Sequence, residues 1–433
     1  EAELSVLGGI ILDNSATDRI SGLKSEDFFT RRHQAIFRHI LSLAEAGGPV
    51  DPVTVAMGLE RSGELDDAGG LDYVLGLGTA AATAINIEHH AKLIQEQAEV
   101  RRLVGVCTGI VEKAQGGDYD EVGRLFDEAQ QAVYDVGNRR QTRAFTDLPT
   151  ALKDVIDKVQ KAYEVKASVT GTPTGFIDLD GMTAGLQPGD LVIVAGRPSM
   201  GKTAFALNLA TNAANLGQGA VAIFSLEMPT TQLAARMLAN EARVDSERMR
   251  SGHLQDGDVD RLLNGVRSMS NWRIYIDDTA GATVMEIRAK CRRLAAERGG
   301  AKLSLVVIDY LQLMRGAPGT RNREQEISEI SRSLKGMAKE LAVPVVALSQ
   351  LNRGLESRPN KRPMMSDLRE SGAIEQDADV IMFVYRDEVY NENTDDKGVA
   401  EIIIGKQRNG PIGTCRLKFS RQWTRFDNLA ADH

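Results

Sequence analysis

The residues best suited to chemistry form one short run, in which glycines bracket the run and a lysine and a hydroxyl residue close it. The run is Gly196, Arg197, Pro198, Ser199, Met200, Gly201, Lys202 and Thr203, and it matches the pattern GxxxxGK[ST]. Glycines let the backbone curl so that successive N–H groups point at phosphate oxygens, and a helix starting there adds a positive dipole end. Lys202 would contact the β- and γ-phosphates, and the Thr203 hydroxyl would ligate Mg²⁺. The run therefore predicts a site for ATP and Mg²⁺.

Two carboxylates follow predicted strands and are candidates for the same site. Asp309 ends the aliphatic segment Leu303–Ile308, a Walker B pattern that would place it beside the phosphate loop, where it can hold Mg²⁺ through water. Glu227 ends the segment beginning with the strand Ala220–Ser225. If that strand lies next to the phosphate-loop strand, Glu227 can orient and deprotonate the attacking water. The alternative is a surface glutamate just before a helix.

An amide forms a fourth candidate. Gln350 follows the predicted strand Val345–Ser349. At a strand end facing the γ-phosphate, its side chain could sense whether that phosphate is present and move the next loop.

Short apolar segments alternate with helical ones from Gly175 onward, and this alternation predicts a parallel sheet covered by helices. The predicted strands are Leu191–Ala195, Ala220–Ser225, Ile274–Ile276, Leu303–Ile308, Val345–Ser349, Val380–Tyr385 and Ile402–Ile404. The predicted helices are Thr203–Asn215, Thr230–Ala242, Val284–Glu297 and Arg323–Leu341.

The first part of the chain shows helical spacing instead. A long amphipathic helix is predicted over Asn86–Lys113, and Tyr119–Val136 is predicted to return beside it after Gly116 and Gly117. Such a hairpin needs a partner for its apolar face. We predict a helical domain over residues 1–138, a linker with an amphipathic helix over 139–170, and a strand-and-helix domain over 171–433.

Charge and cysteine content narrow the class of protein. The net charge is −8, with −9 in residues 1–145 and +1 in the remainder. This balance argues against a protein that coats nucleic acid with its whole surface, but a local basic channel in the second part is not excluded. Three widely spaced cysteines offer neither a disulfide framework nor a metal site, which suits a reducing cytosol. The charge-free stretch Tyr73–Ile87 is too short, and too rich in glycine, alanine and threonine, for a membrane helix, so we expect no membrane association.

Several strings together resemble the DnaB family of bacterial replicative DNA helicases, along nearly the whole chain. They are the phosphate loop at 196–203, Phe-Ser-Leu-Glu-Met at 224–228, Val-Ile-Asp-Tyr-Leu-Gln at 307–312, Leu-Ser-Gln-Leu-Asn-Arg at 348–353, Asp-Leu-Arg-Glu-Ser-Gly at 367–372 and Lys-Gln-Arg-Asn-Gly at 406–410. The resemblance implies an α/β RecA-like P-loop ATPase domain with a separate all-α N-terminal domain. It also implies a homohexameric ring in the cytoplasm that uses ATP and Mg²⁺ to move on single-stranded DNA, with primase and a helicase loader as partners.

The resemblance assigns roles to individual residues. Glu227 would be the catalytic base, Gln350 the γ-phosphate sensor, and Thr203 and Asp309 the metal-binding pair, with Arg236 near the nucleotide. Lys406 and Arg408 would reach the neighbouring subunit's ATP; without the resemblance they would be interpreted as a solvated strand end.

Two long, basic loops are the candidates for DNA contact. Met314–Asn322 carries Arg315 and Arg321, and Asn352–Ala373 carries a larger basic set; sparse aromatics favour backbone tracking over base stacking. The alternative is a mobile solvated loop. By resemblance, the residues that contact single-stranded DNA are Arg353, Arg369, Glu370 and Gly372.

Two other functions remain open at this point. The chain could be a RecA-like ATPase that uses nucleotide without unwinding DNA, or a scaffold that binds ATP and partners without catalysis. Strand displacement separates the first from a helicase, and the effect of Glu227→Gln on turnover separates the second.

Overall fold

The architecture is that of a computed structural model of the 433-residue chain. The described residues are 1–20, 22–80, 86–117, 119, 122–138, 148–149, 152–153, 155–157, 160, 169–217, 219–297, 302–316, 322–368 and 372–429. The chain divides into two compact units, Glu1–Ala151 and Leu152–His433. Most of the predicted linker, 139–170, lies outside the described residues.

The first unit is helical, as predicted. Its helices are α1 (Ala2–Leu12), α2 (Ala16–Arg19), α3 (Arg31–Glu45), α4 (Pro52–Ser62), α5 (Gly70–Ala80), α6 (Ile87–Gly116) and α7 (Val122–Asn138). Helix α3 begins where the Thr30 side chain accepts a hydrogen bond from the His33 N–H, at 3.3 Å, and it buries Ile36, Phe37 and Ile40 in the core of this unit.

The predicted helical hairpin is formed by α6 and α7, which contact each other and are joined by an ion pair between Lys113 and Glu128. Several of its apolar side chains, among them Val100, Val104 and Phe126, are exposed in the single chain. The hairpin therefore presents the apolar face for which the sequence predicts a partner.

The second unit contains a sheet of nine strands in the order β3-β2-β4-β5-β1-β6-β7-β8-β9. The strands are β1 (Leu191–Gly196), β2 (Ala220–Ser225), β3 (Ile274–Asp277), β4 (Leu303–Asp309), β5 (Val345–Gln350), β6 (Val380–Tyr385), β7 (Val399–Gln407), β8 (Gly413–Ser420) and β9 (Arg425–Asn428). Strands β1 to β6 are parallel, but β6 to β9 pair antiparallel. The predicted parallel sheet is therefore wrong at this end, where the segments 386–398, 408–412 and 421–424 join the strands without an α-helical crossover.

Helices cover both faces of this sheet. The helices of this unit are α8 (Ile177–Thr183), α9 (Lys202–Leu216), α10 (Thr230–Ala242), α11 (Ser246–Ser251), α12 (Asp258–Met269), α13 (Val284–Glu297), α14 (Arg323–Leu341) and α15 (Gly372–Asp377). Helices α13 and α14 pack on one face through Ile287, Ile327 and Leu334, whereas α9 and α10 pack on the other through Phe205 and Leu233. Burial on both faces explains the continuous apolar sequences of the central strands.

The carboxyl ends of the parallel strands meet at one edge of the sheet, and the candidate residues gather there. Strand β1 runs into the phosphate loop, β4 ends at Asp309 and β5 ends at Gln350. Strand β2 is not adjacent to β1, because β4 and β5 lie between them. The role of Glu227 as a base was predicted on the condition that β2 lies next to β1, and this condition is not met. Glu227 nevertheless lies at the same edge of the sheet.

Candidate functional site

The phosphate loop connects buried strand β1 to helix α9 through a curled backbone. Ser199 and Gly201 both have left-handed φ values, +68° and +99°. A Cβ atom at Gly201 would lie 3.2 Å from the ring of Phe426, so a side chain here would crowd that ring in addition to straining the backbone. The left-handed conformation at Ser199 costs on the order of 1–2 kcal/mol for a residue with a side chain.

The hydroxyl of Thr203 and the carboxylate of Asp309 meet beneath this loop. Thr203 Oγ1 donates a hydrogen bond to Asp309 Oδ2 at 2.8 Å, and Asp309 is only 5% exposed. Burial raises the pKa of Asp309, against the opposing effects of the Thr203 hydrogen bond and the Lys202 charge. The negative charge of the buried carboxylate is thus not fully offset by its neighbours. The Asp309 and Thr203 oxygens fit Mg²⁺, a hard cation that binds few protein ligands beside substrate phosphates.

Lys202 is the cation of the loop and is largely enclosed. Its Nζ donates to the Ser349 carbonyl at 3.1 Å and lies 5.7 Å from the centroid of the Tyr310 ring. Burial lowers the pKa of Lys202 to about 8, although Asp309 and Glu227 favour the charged form. The free site therefore holds a cation that additional negative charge, such as a phosphate, would stabilise.

A cavity of about 1080 Å³ opens above the loop, and its volume is sufficient for a nucleotide. The structure brings ten predicted residues to its wall: Arg197, Pro198, Ser199, Gly201, Lys202, Thr203, Glu227, Arg236, Asp309 and Gln350. Glu227 is exposed there, which suits a base that must meet water. Gly196 and Met200 do not line the wall; Gly196 ends β1, and the Met200 side chain is buried in the core.

Arg197 connects the loop to the segment after β5. Its Nε donates to Glu356 Oε1 at 2.8 Å and its Nη1 donates to the Leu351 carbonyl at 3.0 Å. The guanidinium, expected to bind ATP, thus joins two segments of the protein while lining the cavity.

Lys406 and Arg408 lie at the opposite edge of the sheet. Lys406 pairs with Ile381 near the start of β6, and the Arg408 N–H donates to the Asp379 carbonyl, which precedes β6. Asp379 lies level with Leu191 at the start of β1, so Arg408 is separated from the phosphate loop by the length of β1, roughly 17 Å at about 3.3 Å per residue. An arginine side chain cannot cover that distance, so Arg408 cannot serve the phosphate site of its own chain.

Both cations are held by backbone carbonyls around α15. Lys406 Nζ donates to the carbonyl of Ala378 at 2.7 Å, and Arg408 Nη2 donates to that of Gln376 at 2.7 Å. Burial and the nearby Arg408 lower the pKa of Lys406.

The predicted DNA-binding residues are only partly covered. Arg353 and Gly372 are described and exposed, whereas Arg369 and Glu370 lie outside the described residues. Residues 317–321 of the first basic loop also lie outside them.

Several cations of the second basic loop are committed to internal contacts. Arg358 bonds to Asp367 at 2.6 Å, and Arg362 forms a bidentate pair with Glu401 at 2.7 and 2.8 Å. The described part of this loop, residues 352–368, is therefore held by internal contacts and contains short 3₁₀ helices at Arg353–Ser357 and Met365–Asp367.

Sequence reasoning missed several residues in or behind the cavity wall, among them the following three. Arg386 lines the cavity and donates to the Ser199 carbonyl at 3.2 Å. Tyr310 lines it beside Lys202. Gln312 donates to the Ser349 hydroxyl at 3.0 Å, behind Gln350. The available signal for Arg386 was its place directly after a buried strand, the same signal that identified Asp309 and Gln350.

No helix among the described residues is long and apolar enough to cross a bilayer.

Comparisons with known proteins cover both units. Residues 1–96 match the family model described as the DnaB-like helicase N terminal domain, and residues 171–428 match that of the DnaB-like helicase C terminal domain. The chain is 48% identical over 431 residues to a replicative DNA helicase of Bacillus subtilis (strain 168), named DnaC, covering 99% of this chain and 94% of the relative. It is 47% identical over 431 residues to DnaB of Geobacillus stearothermophilus, with the same coverage.

A solved structure extends the likeness to three dimensions. The structure of a DnaB-like replicative helicase, described with its interactions with primase, superposes with a TM-score of 0.81 at 34% identity and covers 99% of both chains. The RecA-like fold expected for the C-terminal part and the helical fold expected for the N-terminal part are thereby confirmed.

Proposed function

The chain belongs to the DnaB-like helicase family, and from this premise we propose how it works as an ATP-dependent replicative DNA helicase. It assembles as a homohexamer, binds ATP and Mg²⁺, moves along single-stranded DNA in the cytoplasm and separates the duplex at the replication fork. Primase and a helicase loader are its partners. The carrying observation is the placement of Arg408 and Lys406 at the sheet edge opposite the phosphate loop.

ATP binds in the cavity with its phosphates on the loop. N–H groups from the loop and the α9 N-terminus, with the Lys202 ammonium, bind the β- and γ-phosphates. Thr203 and Asp309 would hold Mg²⁺, which neutralises charge on the phosphates when bound. The Arg236 guanidinium lines the same wall and adds positive charge.

Hydrolysis needs a base and a charge donated in trans. Glu227, exposed at the cavity, orients and deprotonates the attacking water. Charge accumulating on the transferred phosphoryl group is stabilised by Arg408 and Lys406 from the adjacent subunit. Each pocket is thus completed only by assembly.

Movement on DNA is coupled to hydrolysis because the nucleotide site and the DNA-binding loop are connected at the end of β5. Gln350 senses the γ-phosphate at the end of β5, and the segment that follows begins the loop carrying Arg353 and, farther on, Arg369, Glu370 and Gly372. Loss of the γ-phosphate changes that loop and its grip on the strand. Sequential hydrolysis around the ring passes the strand along.

The deciding measurement is strand displacement on a forked duplex by the full chain, with and without ATP and with the Lys202→Met variant as control. Displacement that requires both ATP and Lys202 supports the proposal. Hydrolysis of ATP stimulated by single strands, without displacement, would instead favour a RecA-like ATPase that does not unwind. Lack of any hydrolysis would favour a scaffold.

A further inference from the structure

Arg386 is a buried cation at the outer side of the phosphate loop. It directly follows β6, is 7% exposed and lines the nucleotide cavity. A guanidinium in such a position must be paired to offset its loss of hydration.

The guanidinium is fixed by contacts on three sides. Its Nε donates to Glu388 Oε1 at 3.0 Å, and its Nη2 also bonds to Glu388. Its Cζ lies 4.0 Å from the centroid of the Phe419 ring. Glu388 is itself held by the Gly398 N–H, at 3.0 Å to Oε2. Burial tends to raise the pKa of Glu388, but the hydrogen bonds from Arg386 and Gly398 lower it, so the carboxylate remains charged.

The remaining edge of the guanidinium reaches the tip of the loop. Nη1 donates to the Ser199 carbonyl at 3.2 Å, and Ser199 is the loop residue with a side chain and a left-handed φ of +68°. The N–H of the same peptide group, from Met200, donates to the Arg197 carbonyl at 3.3 Å. Both polar ends of this peptide are therefore held, one of them by Arg386.

A strained conformation persists only where its surroundings determine it, and such positions concentrate at binding sites. A loop already held in its binding shape does not have to be ordered when the ligand arrives. We propose that Arg386 is a positioning residue for the phosphate loop, which it keeps in the nucleotide-binding conformation through the Ser199 carbonyl. The inference rests on the proposed function, since it concerns the same ATP site, and it adds Arg386 and Glu388 to that site's machinery.

The test compares full-length variants by titration with fluorescent mant-ADP and by the kinetics of ATP hydrolysis. Arg386→Met removes the bond to Ser199 and is expected to raise the Kd for mant-ADP and the KM for ATP about 10-fold. The value of kcat at saturating ATP stays within about threefold of wild type, because binding energy then restores the loop. Arg386→Lys keeps the charge but lacks the fork that spans Glu388 and Ser199, so it is expected to resemble Arg386→Met.

Two further variants make the test robust. Glu388→Gln leaves Arg386 in place but weakens its anchor, and is expected to shift both constants in the same direction by a smaller factor. Arg292→Lys is the control. Arg292 does not line the cavity, and its Nε donates to Glu340 Oε1 at 2.8 Å, so the Kd for mant-ADP and the KM for ATP should both stay unchanged. If Arg386→Met does not fold, the lysine and glutamine variants still decide.

Unchanged nucleotide affinity in the Arg386 variants, wild-type behaviour of Arg386→Lys, or a fall in kcat without a change in KM would overturn the inference. Each of these outcomes is compared with wild-type protein that binds mant-ADP and hydrolyses ATP. Wild-type protein that neither binds mant-ADP nor hydrolyses ATP would instead refute the proposed function.

Discussion

Replacing Arg408 by alanine tests the shared pocket most directly. Arg408 lies roughly 17 Å along the strands from the phosphate loop of its own chain, so its removal leaves that chain's nucleotide contacts intact. A guanidinium supplied in trans to a phosphoryl transfer contributes about 10³–10⁵ in kcat. The pure variant is therefore expected to assemble and bind mant-ADP normally, yet to lose turnover by at least three orders of magnitude.

Mixing two inactive variants tests whether Lys202 and Arg408 act on one nucleotide from two different subunits. Lys202→Met lacks a working phosphate site but retains Arg408, and Arg408→Ala has the converse defect. In a randomly mixed ring with heterologous contacts, about one interface in four combines the intact halves. Single-turnover hydrolysis should therefore recover to roughly a quarter of the wild-type amplitude, without any requirement for firing around the whole ring.

The control is Arg416→Ala, which removes an ion pair with Asp396 on the same hairpin and should change neither turnover nor assembly. Wild-type hydrolysis by pure Arg408→Ala rings would refute the reasoning. So would an inactive mixture of the two inactive variants, because it would mean that both residues act within one chain.

Three other perturbations address the remaining assignments. Glu227→Gln should keep mant-ADP binding and lower kcat by about 10² or more, and an unchanged steady-state rate would exclude Glu227 as the base. Because burial lowers the pKa of Lys202 to about 8 from its ordinary 10.5, the unfolded chain binds more protons between those values. The stability of the wild type in urea, measured relative to that of Lys202→Met, should therefore rise with pH between those values, and the mant-ADP affinity of the wild type should fall above pH 8; a stability difference that does not change with pH would contradict this. Arg369→Ala should weaken binding to single strands of any sequence and reduce the slope of log K against log salt by about 0.7; an identical slope would argue against a phosphate contact.

The sequence was most informative where local pattern and tertiary position coincide. Strands β1, β2, β4, β5 and β6 are buried on both faces, so their apolar runs identified them within a residue or two. Their carboxyl ends necessarily share an edge, which is why Asp309 and Gln350 were placed correctly beside the phosphate loop.

The sequence-based predictions were wrong or incomplete where they depended on the order of strands in the sheet or on strands that are only half buried. No local signal shows that β4 and β5 separate β2 from β1. Strand β8 alternates buried Cys415 and Leu417 with exposed Arg416 and Lys418, and this half-buried pattern is weaker than a continuous apolar run. Arg386 was missed because its place at the site depends on a hydrogen bond to Ser199, a residue 187 positions away.

The antiparallel end of the sheet has a consequence for how identical subunits behave together. Phe419 and Phe426, on β8 and β9, lie against Gly201 of the phosphate loop, while β7, paired to β8, ends beside Arg408. If Arg408 completes the neighbouring pocket as proposed, a shift of these hydrogen-bonded strands when one pocket is loaded would also move the side chain that serves the next pocket. Chemically equal sites are then expected to differ in occupancy, and titration with mant-ADP should show more than one class of binding.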